Sequence, residues 1–267
     1  MRTVISHFYN EEYLLPWWLD HHKKYFDYGI MINHNSNDKS VDIIRDIVPQ
    51  WRIVNTSLTN FNAYMTDFEV MSYERNIPGW KIALNTTEFL VTSVDLNQIQ
   101  KFIIDQGKMG ATFSGYNLVD NEPNKELTYD KPLVKQAYWG FSDNLNIEPS
   151  KRLEMNLGTT FPSRNRFFHC NEVGMYHPGR HLSFHPDSQT RLTDVMIFHY
   201  CYSPWNEKTI HRKLGLKDRL DPEDIKRGWG AQHLKKIDEL ESCRNIALTY
   251  SDSLKKDPFI DKALSIL

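Results

Sequence analysis

The sequence predicts an α/β fold: a Rossmann-like, mostly parallel central sheet flanked by helices, followed by a helical C-terminal extension. Strand-like and helix-like segments alternate through the first 55 residues, and polar residues directly follow several of the strands. A strand–helix–strand order favours parallel strands joined by right-handed crossovers. The chain has 267 residues, so we expect one large domain over residues 1–202, with residues 203–267 as an extension packed on it.

Each element has a local signal. Leu15, Trp18 and Leu19 follow helical spacing after the first strand, and Asn10 can cap that helix. Pro49 ends the second helix. The predicted strands are 3–9, 28–34, 51–55, 80–84, 111–116 and 195–200, and the predicted helices are 15–22, 41–48, 67–76 and several after residue 204.

Composition excludes some classes of protein. A net charge of −2 provides no basic field, so we expect no nucleic-acid partner. Cys170, Cys201 and Cys243 show no paired or metal-like spacing, which fits a reducing compartment. We find no signal peptide and no apolar run long enough to cross a membrane. We therefore expect a cytoplasmic protein and leave peripheral membrane contact open.

Polar side chains are concentrated where the predicted strands end, at residues 6–12, 33–38 and 85–88. In α/β sheets, ligands bind at the carboxyl ends of the strands. Residues 5–12 contain no glycine, which argues against a dinucleotide-binding loop or a P-loop. Asn10 and Asp38 have a second interpretation, because either side chain could simply cap a helix.

A cationic group follows later in the chain, formed by Arg164, Arg166, Arg180 and His181. Arginine forks suit phosphate or carboxylate groups. His199 lies alone in an apolar strand, where a histidine is more often a core residue than a ligand, although Arg212 and Lys213 follow it. Glu88 is the one charged side chain of the 85–88 turn and could meet Mg²⁺ or Mn²⁺, which prefer hard oxygen ligands.

Together these residues resemble GT-A type glycosyltransferases, in the broad family-2-like group of bacteria and large viruses. The segments that carry the resemblance are 7–12, 27–32, 36–40, 80–90, 164–167, 176–181, 199–200, 204–205 and 212–214. The resemblance covers most of residues 1–235 and makes residues 1–202 a GT-A-like nucleotide-sugar-binding catalytic domain. If the protein is viral, it would act in the host cytoplasm.

The resemblance also implies site residues. It places the donor nucleotide sugar against His7, Tyr9, Asn10, Glu11, Asp38, Asn85, Thr87, Arg164, Arg166, Arg180 and His181. An Asp-any-Asp motif usually holds the metal, but here that slot reads Asn85-Thr86-Thr87. Glu88 and His199 are therefore the expected ligands of Mn²⁺ or Mg²⁺, and the arginines could neutralise the diphosphate in the metal's place.

The implied activity is transfer of a sugar from a nucleoside diphosphate sugar, UDP-linked by analogy, to a glycan or other hydroxyl acceptor with inversion. An inverting enzyme needs a carboxylate base, and the candidates are Asp120, Asp143, Glu172 and Asp194. We expect Arg180→Ala to lower turnover with little loss of fold. Two alternatives remain: a nucleotide-sugar-binding protein that has lost catalysis, and a nucleotidyltransferase.

Overall fold

The computed structural model describes residues 1–157, 164–185, 189–230 and 233–267. Its strands are β1 (Arg2–Phe8), β2 (Tyr28–Asn33), β3 (Arg52–Asn55), β4 (Trp80–Ala83), β5 (Glu88–Thr92), β6 (Gly110–Val119), β7 (Trp139–Ser142), β8 (Arg166–His169), β9 (Gln189–Tyr202) and β10 (Asp252–Ser253). Its α-helices are α1 (Leu15–His22), α2 (Ser40–Ile47), α3 (Ala63–Glu74), α4 (Leu96–Asp105), α5 (Leu133–Gln136), α6 (Pro149–Glu154), α7 (Glu207–Leu214), α8 (Pro222–Lys226), α9 (Ile237–Thr249) and α10 (Pro258–Ile266), with 3-10 turns at Lys217–Arg219 and Leu254–Lys256.

The first half of the sheet is parallel, in the order β3-β2-β1-β4. β1 lies in the middle of this half, and its adjacent residues Val4 and Ile5 are both fully buried. A strand buried on both faces is typical of parallel sheets covered by helices. The predicted α/β class is therefore confirmed.

The second half of the sheet is mixed. β8 runs antiparallel between β4 and β6, and β9 pairs parallel to β6 and antiparallel to β5. The strands at 111–116 and 195–200 were predicted, but apolar runs in the sequence do not indicate strand direction, so the antiparallel pairings of this half were not predicted. Its consequence is that the start of β5 lies against the end of β9, with Glu88 opposite His199.

Helices cover both faces of the sheet. Val4 packs in the cluster that contains Trp18 of α1 and Leu264 of α10, whereas Ile5 packs in the cluster that contains Val70 of α3. Adjacent residues of a strand point to opposite faces, so these two clusters are the two core layers. None of the helices in the described part of the chain is long and apolar enough to cross a membrane.

The C-terminal segment, residues 203–267, packs against the sheet. β9 ends at residue 202, where the extension was expected to begin, and β10 then adds a strand beside β7. Leu240 and Cys243 of α9 pack with Phe141 of β7 in a further apolar cluster. The segment is thus mostly helical but also contributes an edge strand, which sequence analysis did not predict.

Candidate functional site

A pocket of about 300 Å³ lies at the carboxyl edge of the parallel strands and is called the edge pocket below. One wall consists of the ends of β1 and β4, including His7 and the 85–88 turn, and is called the strand wall. The opposite wall includes Arg212 and Lys213 of α7 and is called the helix wall. Ligands of α/β proteins bind at this edge of the sheet.

Most of the site residues expected from the sequence line this pocket: His7, Tyr9, Glu11, Asn85, Thr87, Glu88, Arg164, Arg180, His181 and His199. Arg166 lies directly behind the strand wall, where its guanidinium contacts Glu88. Asn10, Asp38, Asp120, Asp143 and Asp194 are not among the lining residues.

Glu88 on the strand wall is bound by an arginine. Arg166 Nε donates to Glu88 Oε2 at 2.7 Å and Arg166 Nη2 donates to Oε1, forming a bidentate pair. The backbone N–H of Asn85 also donates to Oε2, at 2.8 Å. Both partners of the ion pair are almost completely buried. A bidentate pair of this kind neutralises the carboxylate and fixes its orientation.

These contacts do not fit the expected metal site. A cation at Glu88 would have to displace or adjoin the buried guanidinium of Arg166. Among the described residues there is no group of three or more His, Cys, Asp or Glu side chains placed to hold a metal. The metal assignment of Glu88 and His199 is therefore not supported by the geometry, although the two residues are cross-strand neighbours.

A second buried pair lies on the strand wall. Arg180 Nη1 donates to Asp67 Oδ1 at 2.5 Å, and Arg180 Nη2 donates to Asn85 Oδ1 at 2.8 Å. Gly179 and Arg180 both have positive φ, and the Gly179 N–H donates to Asp67 as well. A left-handed conformation is costly for arginine, so Asp67 holds a strained turn that directs Arg180 toward Asn85.

Two histidines of this wall have assigned partners. His7 Nε2 lies 2.8 Å from Glu69 Oε2, and burial lowers the pKa of His7 to about 4. Arg166 Nη1 donates to His181 Nδ1 at 2.6 Å. Burial and Arg166 hold the pKa of His181 well below its usual value. Neutral His181 must then carry its proton on Nε2, which makes that atom a donor.

The helix wall is joined to the end of β1. Arg212 Nη1 donates to Glu11 Oε1 at 3.0 Å, and Asn206 Nδ2 donates to the Tyr13 hydroxyl at 2.7 Å. Asn206 also caps α7 by accepting from the Thr209 N–H. Arg212 Nε is buried without a hydrogen-bond partner. The next residue, Lys213, lies over the Tyr202 ring at 4.9 Å.

Positive charge accumulates on this side of the pocket. Burial and neighbouring Arg212 and Arg164 lower the pKa of Lys213 to about 8. Burial and the same cations hold the pKa of His199 well below its usual value and lower that of His233 to about 3. Burial is the largest cause of each shift, and the neighbouring cations add to it because nearby positive charge disfavours further protonation. Gly115 contributes by leaving room for the Arg164 backbone, whose carbonyl oxygen a Cβ would approach to 2.3 Å.

Asn10 and Asp38 tie loops together. Asn10 has a positive φ of 50° and exchanges hydrogen bonds with Asn37, and α1 begins only at Leu15, so Asn10 is not its cap. Asp38 accepts from the backbone N–H groups of Glu12 and Ser40 at 3.0 Å each. Of its two interpretations, the structural one fits these contacts.

The expected base candidates lie elsewhere. Asp143 is fully buried and accepts from Arg152, Asn117 and the Arg164 N–H, so its role is structural. Asp120 accepts from the backbone of Glu122 and Trp205 and lines a separate, smaller cavity. Asp194 is exposed on β9 and Glu172 pairs with Arg75 at the surface.

Several pocket residues were missed in the sequence. Asp67 and Asp224 line the pocket, and Glu69 contacts His7 from α3. All three lie within helices, where a carboxylate gives no signal distinct from a solvated surface charge. Asp224 is buried and accepts from the Ala63 N–H at 2.6 Å through Oδ2; its Oδ1 accepts no hydrogen bond but lies 3.7 Å from Arg227 Nη1. Arg212 and Lys213 follow His199 and belong to a segment that carries the resemblance, but no role in the site is expected of them from the sequence.

No protein-family model and no curated protein matches this chain. Solved structures do match. Residues 1–349 of S. aureus TarS, in complex with UDP-GlcNAc, match with a TM-score of 0.44 and 12% identity over 92% of this chain and 79% of that one. A longer TarS structure matches with a TM-score of 0.41 and 11% identity over 80% of this chain, which spans only 38% of that one.

Glucosyl-3-phosphoglycerate synthase from Mycobacterium tuberculosis, in complex with Mn²⁺, UDP-glucose and phosphoglyceric acid, matches with a TM-score of 0.44 and 12% identity over 92% of this chain and 80% of that one. At such identities the likeness concerns the fold alone. In fold, the chain is similar to these solved structures.

Proposed function

We propose that this protein binds a nucleoside diphosphate sugar in the edge pocket and transfers the sugar to a hydroxyl group of an acceptor. The observation that carries the proposal is the concentration of buried and half-buried cationic and donor groups that line the edge pocket beside the carboxyl ends of β1 and β4. It includes Arg212 and Lys213, beside histidines whose pKa values are lowered. UDP is the proposed nucleotide, by resemblance.

The transfer step sets the chemical requirements. The bond between the anomeric carbon and the diphosphate oxygen breaks, and its electron pair leaves with the nucleoside diphosphate. The acceptor oxygen forms the new bond to the anomeric carbon, and its proton passes to a base. Cationic groups fixed beside the departing diphosphate stabilise the charge that develops there.

Asp224 is the proposed base, with inversion at the anomeric carbon as the resemblance implies. It lines the edge pocket, and its Oδ1 accepts no hydrogen bond in the described structure, with the Arg227 guanidinium 3.7 Å away as its counter-charge. A general base must lie within reach of the proton that it removes. We expect Asp224→Asn to lower turnover at least about 100-fold while UDP binding persists. Normal turnover in that variant would remove Asp224 from this role.

The first test is calorimetric titration of the purified chain with UDP and GDP, with and without Mn²⁺. Binding of either nucleotide supports the proposal, and absence of binding in every condition contradicts it. Release of UDP from UDP-sugars, with and without glycan acceptors, then tests turnover directly.

A nucleotide-sugar-binding protein without turnover is the second candidate. It is favoured by one observation, the neutralisation of Glu88 by Arg166 next to the slot where the resemblance implies metal ligands. Such a protein would bind UDP-sugars but neither hydrolyse them nor transfer the sugar. The release assay above separates the two candidates.

A further inference from the structure

The helix wall contains a lysine with no carboxylate partner among the described residues. Arg212 pairs with Glu11, but no ion pair involves Lys213, whose ammonium group lies over the Tyr202 ring. Lys213 is half-buried and lines the edge pocket. A partly desolvated ammonium group without an anion raises the free energy of the empty pocket.

Two buried nitrogen atoms close to Lys213 also have no hydrogen-bond partner among the described residues. They are Nε of Arg212, which is a donor, and Nδ1 of His199, which is a donor or an acceptor depending on the tautomer, and both residues line the pocket. Arg212 is about nine-tenths buried, with a side-chain exposure of 9%. Buried polar atoms are normally satisfied in native proteins, and exceptions often mark a ligand site. An anion is the ligand class that would satisfy the ammonium group of Lys213 and the Arg212 Nε–H together.

The strand wall offers the opposite arrangement. Its carboxylates are already neutralised, Glu88 by Arg166 and Asp67 by Arg180. A divalent cation usually bridges a protein carboxylate and the substrate phosphates. Glu88 is the acidic residue next to the slot expected to hold that cation. Its carboxylate binds the guanidinium group of Arg166 instead.

We propose that the diphosphate of the ligand is held without a divalent metal, by Lys213 of α7 acting together with Arg212. This proposal rests on the proposed function and deepens it by assigning the phosphate site to the C-terminal segment. Lysine is an effective point-charge partner for phosphate oxygens. The Glu88–Arg166 pair then gives the strand wall a fixed structure without net charge.

The protonation state of Lys213 gives a specific signature. With its pKa lowered to about 8, Lys213 in the empty pocket is charged below that pH and neutral above it. Affinity for the diphosphate is therefore full below about pH 8 and falls as the pH rises through that value. The titratable and charged groups that influence Lys213 in the described structure are Arg212, Cys201, Arg164, Cys243, His199 and His233.

The experiment is calorimetric titration of the full chain with UDP and with pyrophosphate, in EDTA and in Mn²⁺, from pH 6.5 to 9.5. The variants are Lys213→Ala, Lys213→Arg and the matched control Lys217→Ala, which removes an exposed lysine from the next turn. We expect equal affinity in EDTA and Mn²⁺, at least a tenfold loss in Lys213→Ala, and no change in Lys217→Ala. Lys213→Arg should restore binding and abolish the fall above pH 8.

The outcomes separate the two proposals. UDP binding that requires Mn²⁺, or that Lys213→Ala leaves unchanged, overturns the metal-free lysine site while the proposed function stands. Binding of pyrophosphate that depends on Lys213, without binding of UDP or GDP, upholds the anion site and contradicts the proposed function. No binding of any of these ligands by the wild-type chain overturns both. Circular dichroism spectra of each variant check that the fold is intact.

Discussion

The strand wall and the helix wall of the edge pocket balance their charges differently. On the strand wall, Glu88 and Asp67 each face an arginine in a buried pair. On the helix wall, Glu11 pairs with Arg212, whereas Lys213 lies over the Tyr202 ring and has no carboxylate partner in the described part of the chain. We call an ion pair closed when a buried carboxylate is bound by an arginine. A wall of closed pairs is suited to stabilising one conformation, whereas a wall with excess positive charge is suited to binding an anion. Stability should therefore depend on the first and affinity on the second.

The largest expected effect is on the strand wall. Arg166→Met leaves the carboxylate of Glu88 buried without its partner, which should cost about 3–5 kcal/mol of unfolding free energy. The double variant Glu88→Gln with Arg166→Met removes both charges and should lose much less. Urea unfolding of the three proteins measures this. Equal stability of the single variant and the wild type would break the comparison.

Arg180→Ala tests the second closed pair. The sequence led us to expect a loss of turnover with little loss of fold, but Arg180 is buried against Asp67 and Asn85. Its removal should cost about 2–4 kcal/mol, because Asp67 is left without its counter-charge. The readout is again unfolding in urea. Retention of full stability would return Arg180 to the role of a free clamp residue.

Taken per proton and per pH unit, the pH dependence of stability comes next in size. His7 and His21 have pKa values lowered to about 4, and that of His233 is lowered to about 3, with burial the largest cause in each. Their unfolded forms titrate near 6.5, so the unfolded chain binds more protons between about pH 6.5 and 4. Stability should therefore fall as the pH drops through that window, by about 1.4 kcal/mol per pH unit for each proton taken up.

Urea unfolding at pH 7.0, 5.5 and 4.5 would measure this slope. The variant His7→Gln removes one of these titrating groups and should reduce the slope of unfolding free energy against pH. A stability that stays constant from pH 7 to 4.5 would contradict the burial of these histidines.

The smallest effect is expected away from both walls. Lys101 and Asp105 form an exposed pair one turn apart on α4, and such pairs contribute about 0.3–0.5 kcal/mol. Lys101→Ala should therefore shift stability by no more than that and should leave UDP binding unchanged. A larger loss would mean that exposed charges matter as much here as the closed pairs do.

The sequence predicted the strand wall better than the helix wall. Apolar runs followed by polar residues marked the ends of β1 and β4, because a buried strand and its exposed edge leave a sharp local pattern. The Glu88–Arg166 pair joins residues 78 positions apart and could not be predicted from either segment alone. For the same reason Asp143 looked like a candidate base, although Arg152 and Asn117 bury it.

The hydrogen bonds that hold α7 and the 3-10 turn after it bear on how the protein unfolds locally. Arg212 and Glu11 are 201 residues apart, and Arg219 and His34 are 185 apart. Each bond therefore spans most of the chain, and local unfolding of residues 203–230 would dismantle the helix wall while leaving the parallel sheet intact. A ligand that contacts both walls should stabilise this segment against local unfolding. Its binding should slow amide hydrogen exchange in α7 more than in β1, so the exchange rates of α7 report whether the pocket is occupied.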